Sequence, residues 1–186
     1  MSAYVHPTAV VGDNFTPAPF TLIDAEVVIG ANVITGSFVH IRYGAHVGDN
    51  VLVGDHITIH DSSDIGAGCV LGDGAVIGRR PVSAARDSAS AESVAGAVLG
   101  ERCIIGANVV IAGGVRAGVG VSVDDGTVVG PNSAIGSGCA IGRNVTVGAG
   151  ATLADGVNVG NGAFIGEGLA IEVDVPQAAV ALSEAE

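Results

Sequence analysis

The chain has 186 residues, 48% of them hydrophobic, with 30 glycines, no tryptophan and a formal net charge of −12. Its seven basic residues are all arginine, which argues against the basic stripe of a sequence-independent nucleic-acid surface and the polybasic segment of a membrane anchor. No apolar run reaches the roughly 18 residues of a membrane span, and the opening "MSAYVHPTAV" lacks the basic and apolar regions of a signal peptide. A cytoplasmic protein with no nucleic-acid or membrane partner is therefore expected.

From the N-terminus onward, apolar residues recur every six positions: Val5, Val11, Ile23, Ile29, Ile41, Val47, Val53, Ile59, Ile65, Leu71 and Ile77. Pro17 and Thr35 interrupt the series. It resumes at Leu99 and runs through Ile105, Ile111, Val123, Val129, Ile135, Ile141, Val147, Leu153, Val159 and Ile165 to Ile171, with Ala117 as its weak member. Each position is usually followed by Gly or Asp and preceded, two residues earlier, by a small or β-branched residue.

A period of six suits neither a helix nor a long strand, but it is a multiple of two. It predicts a short strand with two inward side chains, followed by a tight bend at Gly, Asp or Asn. Such a strand cannot bury a face alone. Wound three to a coil, the strands stack into parallel ladders around a closed interior, an all-β solenoid of about nine coils. Cys69, Cys103 and Cys139 each fall two residues before a repeat position. They are expected inside, as small hydrophobes, and three cysteines without a CxxC motif indicate neither a disulfide framework nor a zinc cluster.

The step from Ile77 to Leu99 is 22 residues, sixteen more than one repeat. This predicts an inserted loop at about 79–96. The loop holds Arg79, Arg80 and Arg86, and serves either as a solvated excursion or as a flap meeting an anionic ligand or a neighbouring subunit.

With three hexads per coil, residues 18 apart stack about 4.8 Å from one another. The outward residues are then Leu22, His40, Thr58 and Val76 on a first face, and Val10, Val28, His46 and Asp64 on a second. Thr16, Ile34, Leu52 and Val70 form a third, mostly apolar face, the expected contact with further copies of the chain. His46 and Asp64 become cross-strand neighbours, and a carboxylate beside an imidazole fixes its tautomer and raises its basicity. His60 stacks between Arg42 and Gly78, with Asp61 beside it. Arg42, His46, His60, Asp61 and Asp64 thus gather at one corner as the candidate site. His56 and His40 are expected to be solvated, since neither has an acidic residue 18 positions away.

The hexad pattern resembles the hexapeptide-repeat superfamily of left-handed parallel β-helices, most of whose members are acyltransferases. The stretches "YVHPTAVVGDN", "SFVHIRYGAHVGDNVLVGD" and "VIGRRPVSAA" are similar to nucleotide-sugar N-acetyltransferases, and "GAFIGEGLAIEVDVPQ" resembles their closing coil. The resemblance implies one left-handed β-helix domain over 1–171, a C-terminal tail over 172–186 and a homotrimer. It also implies acetyl-CoA, or another acyl-CoA, as acyl donor to a small-molecule acceptor such as the amino group of a sugar nucleotide.

On that reading His60 is the favoured general base, because a bend residue projects into a groove, and His46 with Asp64 is the rival dyad. Arg42, Asp61, Arg79 and Arg80 would meet the substrate, and Arg143 the cofactor phosphates. Backbone amides at the glycine bends would hold the thioester oxyanion. Two other readings stay open. A zinc enzyme of the γ-carbonic-anhydrase type needs a His pair five apart and a third His about two coils upstream, whereas His56 and His60 are four apart. A non-catalytic scaffold would need only the apolar outer face.

Overall fold

The computed structural model describes residues 2–79 and 96–182, and the described residues contain strands and turns but no helix. Twenty-seven short strands run from β1 (Tyr4–Val5) to β27 (Val180–Ala181), nearly all of them two residues long. They form three parallel sheets of ten, nine and eight strands, and each sheet takes every third strand in chain order, except that β27 follows β25. The result is a three-sided coil of the left-handed β-helix type. No helix among the described residues is long and apolar enough to cross a membrane.

The register is the 18-residue one. On the first face β7 (His40–Ile41) pairs with β10 (Thr58–Ile59), and on the second β8 (His46–Val47) pairs with β11 (Asp64–Ile65). On the third face Leu52 pairs with Val70. Past β11 the offset changes, so that Asp64 pairs with Val98, 34 residues on. The excess of 16 matches residues 80–95, which lie outside the described residues together with Arg80 and Arg86. At the near end, β13 (Val76–Arg79) overruns its corner by two residues and shifts register between Ile77 and Arg79. The ladder then returns to 18, with Val98 on Arg116.

The inward residues explain why a period of six folds this way. Ile23, Ile41, Ile59 and Ile77 lie one above another and are wholly buried, as are Ala45, Ile57 and Ala75 two positions before their repeat residues. Each coil thus contributes a slice of a single continuous core. Thr35 keeps its inward place, and its hydroxyl pairs with that of Thr21 at 3.2 Å, which makes a buried polar pair tolerable. Cys69, Cys103 and Cys139 are buried and free, and each thiol donates to a backbone carbonyl of a neighbouring coil. A hydrogen bond with Cys103 and burial push the Cys69 thiol up, so it stays protonated. Beyond residue 171, Val175 bridges to Val159 and β27 pairs with β25 (Phe164–Ile165), which extends the stack.

Corner aspartates have a structural task that bears on the chain's acidity. Oδ1 of Asp49, Asp55 and Asp73 each accepts a backbone N–H from the coil 18 residues earlier, at 2.6–2.9 Å. Asp125 and Asp155 do the same on later coils. Part of the negative charge therefore caps amides that the bends leave without ladder partners. The third face carries Ile34, Leu52, Val70 and Ile104 in one column, all exposed. This is a contiguous apolar stripe of the kind that marks an interface.

Candidate active site

The candidate residues come from two consecutive coils at the corner between the first and second faces. Backbone ladder bonds hold both rungs in place. The Arg42 N–H donates to the Ile59 carbonyl and the His60 N–H to that of Ile77, both at 2.9 Å. Arg42 Nη1 donates to His60 Nδ1 at 3.0 Å, and its Nε lies 3.1 Å from Asp61 Oδ1. Four residues further on in each coil, His46 Nδ1 donates to Asp64 Oδ1 at 3.0 Å. Arg42, His60 and Asp61 thus form one interacting group, and His46 with Asp64 forms a second across the corner residues. The 18-residue register anticipates both groups.

The partners decide what each imidazole can do. A guanidinium only donates, so His60 Nδ1 must accept, and the proton of the neutral ring sits on Nε2. An ionised carboxylate only accepts, so the His46 proton sits on Nδ1 and its Nε2 carries the lone pair. His60 thus accepts at Nδ1 from Arg42, whereas His46 presents the lone pair of a base at Nε2.

The inserted segment leaves and returns beside this corner. Gly78 stacks over His60, where a Cβ would run into Ser63 Oγ, and Ser63 Oγ accepts the Ala97 N–H at 3.3 Å. Arg79 is exposed at the end of β13, and its carbonyl accepts the Gly113 N–H at 2.9 Å. Arg143 is exposed far from the corner, on the edge between the third and first faces, and its N–H donates to Asn161 Oδ1. It does not join the His60 group. A hollow of about 430 Å³ overlies the last strands of the third face, lined by Ser122, Asp124, Asn158 and Asp174 among others. Its carboxylates make it unsuited to phosphates. Among the described residues, no group of three or more His, Cys, Asp or Glu is arranged to hold a metal ion.

One histidine differs from expectation, and another has a contact the ladder does not give. His40 is not simply solvated: its Nε2 donates to Asp24 Oδ2 at 2.9 Å, and the pair is part-buried. Asp24 lies 16 residues away, on the corner rather than the ladder, so a search at 18 misses it. His56 is exposed but not isolated. Its ring stacks on Phe38 at 4.9 Å, and Phe38 stacks on Phe20 at 4.7 Å. The 18-residue spacing of these three rings was the available signal, and it lies in the bend positions rather than the strands.

Family models match in two places: "Bacterial transferase hexapeptide (six repeats)" over residues 120–155 and "Hexapeptide repeat of succinyl-transferase" over 89–112. A search of the curated proteins finds no match. Among solved structures, a UDP-N-acetylglucosamine acyltransferase from Bacteroides fragilis is similar, with 27% identity and a TM-score of 0.55, over 94% of this chain and 68% of that one. A second such enzyme, from Campylobacter jejuni, shares the fold at 19% identity and a TM-score of 0.53, over 94% of this chain and 67% of that one. By repeat and by architecture, the chain shares the hexapeptide repeat and the left-handed β-helix fold with these acyltransferases.

Proposed function

We propose that the protein is a cytoplasmic acyltransferase, moving an acetyl or other acyl group from acyl-CoA to an amino group of a sugar nucleotide or related small metabolite. The observation that supports this best is the His46–Asp64 pair, held with the correct tautomer on a β-helix similar to the Bacteroides fragilis enzyme. Asp64 orients the ring and stabilises the imidazolium as it forms, and His46 Nε2 takes the proton of the acceptor amine as it attacks the thioester carbon. The carbonyl oxygen gains charge as the bond forms. Backbone N–H groups at the glycine bends meet that charge, and His60, its Nδ1 held by Arg42, stands at the same corner. Collapse of the tetrahedral intermediate expels the CoA thiolate, and the product is the amide. Asp61 holds Arg42 in position, and Arg79, with Arg80, meets the anionic part of the substrate.

The apolar stripe of Ile34, Leu52, Val70 and Ile104 supports a homotrimer, with acyl-CoA lying between subunits. Light scattering should give three times the mass of one chain, and Leu52→Glu should lower it. A monomeric native protein would remove the trimer.

The same stripe also suits a non-catalytic assembly subunit, and ligand binding separates the two readings. Calorimetry with acetyl-CoA, and CoA as companion, should show saturable binding of about one per subunit. No binding of either would overturn the acyl-CoA reading and leave the scaffold.

A further inference from the structure

The edge between the third and first faces carries a ladder of aromatic rings in the left-handed backbone conformation. Phe20, Phe38 and His56 have φ of 64°, 59° and 57°. This region is well outside the habit of phenylalanine, whereas histidine enters it more readily. Further along the same column the bend residue is Gly74, Asn108, Gly126, Asn144 and Gly162, types that accept such angles readily, and then Ala178 at φ 54°. The two phenylalanines therefore occupy places that most coils of this column give to Gly or Asn. Local strain held at an exposed edge points to use of the side chains rather than to folding.

The stack ends abruptly. Its centroid spacings of 4.7 and 4.9 Å match the rise between coils, so each coil supplies one ring. The next coil supplies Gly74, which has no side chain to cover the outer face of His56. A Cβ built at Gly74 would come nearest to Asn108, with Asn108 Oδ1 at 2.6 Å. The Asn108 carboxamide thus lies against that rung, and the Asp73 carboxylate, whose Oδ1 accepts the Asp55 N–H, adjoins it in sequence. The rung has one aromatic wall, the height of one flat ring and hydrogen-bonding groups at its rim.

We propose that this rung binds a nucleobase, stacked on His56 over Gly74 with its polar edge toward Asn108. From His56 the first-face strand runs through Thr58 to His60, four residues or about 13 Å away. A nucleotide stacked here extends along the strand toward the candidate acyl-transfer corner. Naming the source of the base rests on the acyltransferase reading, for it belongs either to a sugar-nucleotide acceptor or to the adenine of CoA. The stacking site itself does not depend on that reading.

The test is calorimetric titration of the full chain with UDP and, separately, with CoA. Three variants, His56→Asn, Gly74→Asn and Phe20→Asn, accompany the native protein. Asn is the residue the same column carries at 108 and 144, so all three should fold; at position 74 the new Cβ displaces only the far end of the Asn108 side chain. At least one probe should bind, and its affinity should fall about tenfold or more in His56→Asn and in Gly74→Asn, the range of one base–aromatic stack. Phe20→Asn, two rungs away, should leave it unchanged. Loss of UDP binding assigns the acceptor's base to the rung, and loss of CoA binding assigns adenine. If His56→Asn fails to fold, Gly74→Asn decides alone. The proposal is overturned if neither probe binds, if binding survives both substitutions, or if Phe20→Asn is as damaging as they are. Acetyl-CoA binding that ignores both substitutions, with UDP inert, removes the nucleobase site while leaving acyl transfer intact. UDP binding lost in both, in a protein that binds neither acetyl-CoA nor CoA, does the reverse.

Discussion

His46→Ala is expected to lower turnover about a hundredfold or more, the usual contribution of a positioned general base, with little change in acetyl-CoA affinity. The expectation follows from hydrogen-bond direction. His46 reaches Asp64 through Nδ1, which leaves the Nε2 lone pair for the acceptor, while His60 has Nδ1 committed to Arg42. Loss of rate alone does not distinguish the two, because removing His60 also disturbs the corner that holds His46. The pH profile does. If His46 is the base, the acidic limb of kcat/KM, where the base is protonated and idle, disappears in His46→Ala and persists in His60→Ala. Full activity of His46→Ala would end the assignment. An acidic limb lost only in His60→Ala would give the role to His60. Asp64→Asn should be milder than His46→Ala in kcat, since it leaves the base in place but frees the ring to take the other tautomer.

Gly96→Ala should destabilise the protein by about 3 kcal/mol, at the upper end of ordinary overpacking, because the added methyl has nowhere to go. A Cβ at Gly96 would overlap the Ser62 carbonyl and the Ser63 nitrogen, both backbone atoms of the coil below. Those atoms are themselves tied down: the Ser62 N–H donates to the Tyr43 carbonyl at 3.0 Å and the Ser63 N–H to the His60 carbonyl at 3.2 Å. A flexible side chain would swing aside, whereas a doubly bonded bend does not. Gly120→Asn is the control. Gly120 has φ 68° and nothing within 4 Å of its Cβ position, and Asn tolerates that angle, so its stability should stay within about 0.5 kcal/mol. Urea midpoints of the two variants measure the difference, and equal midpoints would refute the packing argument. Because Ser62 and Ser63 lie between Asp61 and Asp64, Gly96→Ala should also impair acyl transfer more than its stability loss alone predicts.

The two glycines show how unevenly the sequence is legible. The Gly at each bend reads the same in the repeat, yet Gly96 answers to the backbone of the coil below and Gly120 only to its own φ. Strand positions are different. Burial demands an apolar side chain at every sixth residue, and parallel pairing then locks residues 18 apart, so His46–Asp64 and Arg42–His60 could be read directly. Bend residues keep the 18-residue spacing among themselves, but a bend side chain also reaches strand residues of the next coil. The His40–Asp24 pair spans 16 residues because a bend side chain leaves at its own angle, and no periodicity announces it.

By itself the sequence determined the solenoid, its 18-residue register, the three buried cysteines, the length of the insertion and the gathering of His46, His60, Arg42, Asp61 and Asp64. All of these follow from one requirement, that a two-residue strand can hide its inward side chains only by stacking. The tertiary structure decided which nitrogen of each histidine carries the proton, because that depends on which atom Arg42 or Asp64 reaches. It also decided that Phe20, Phe38 and His56 form one stack ending over a bare glycine, because side-chain direction at a left-handed bend is set by the coil and not by the residue's own preference.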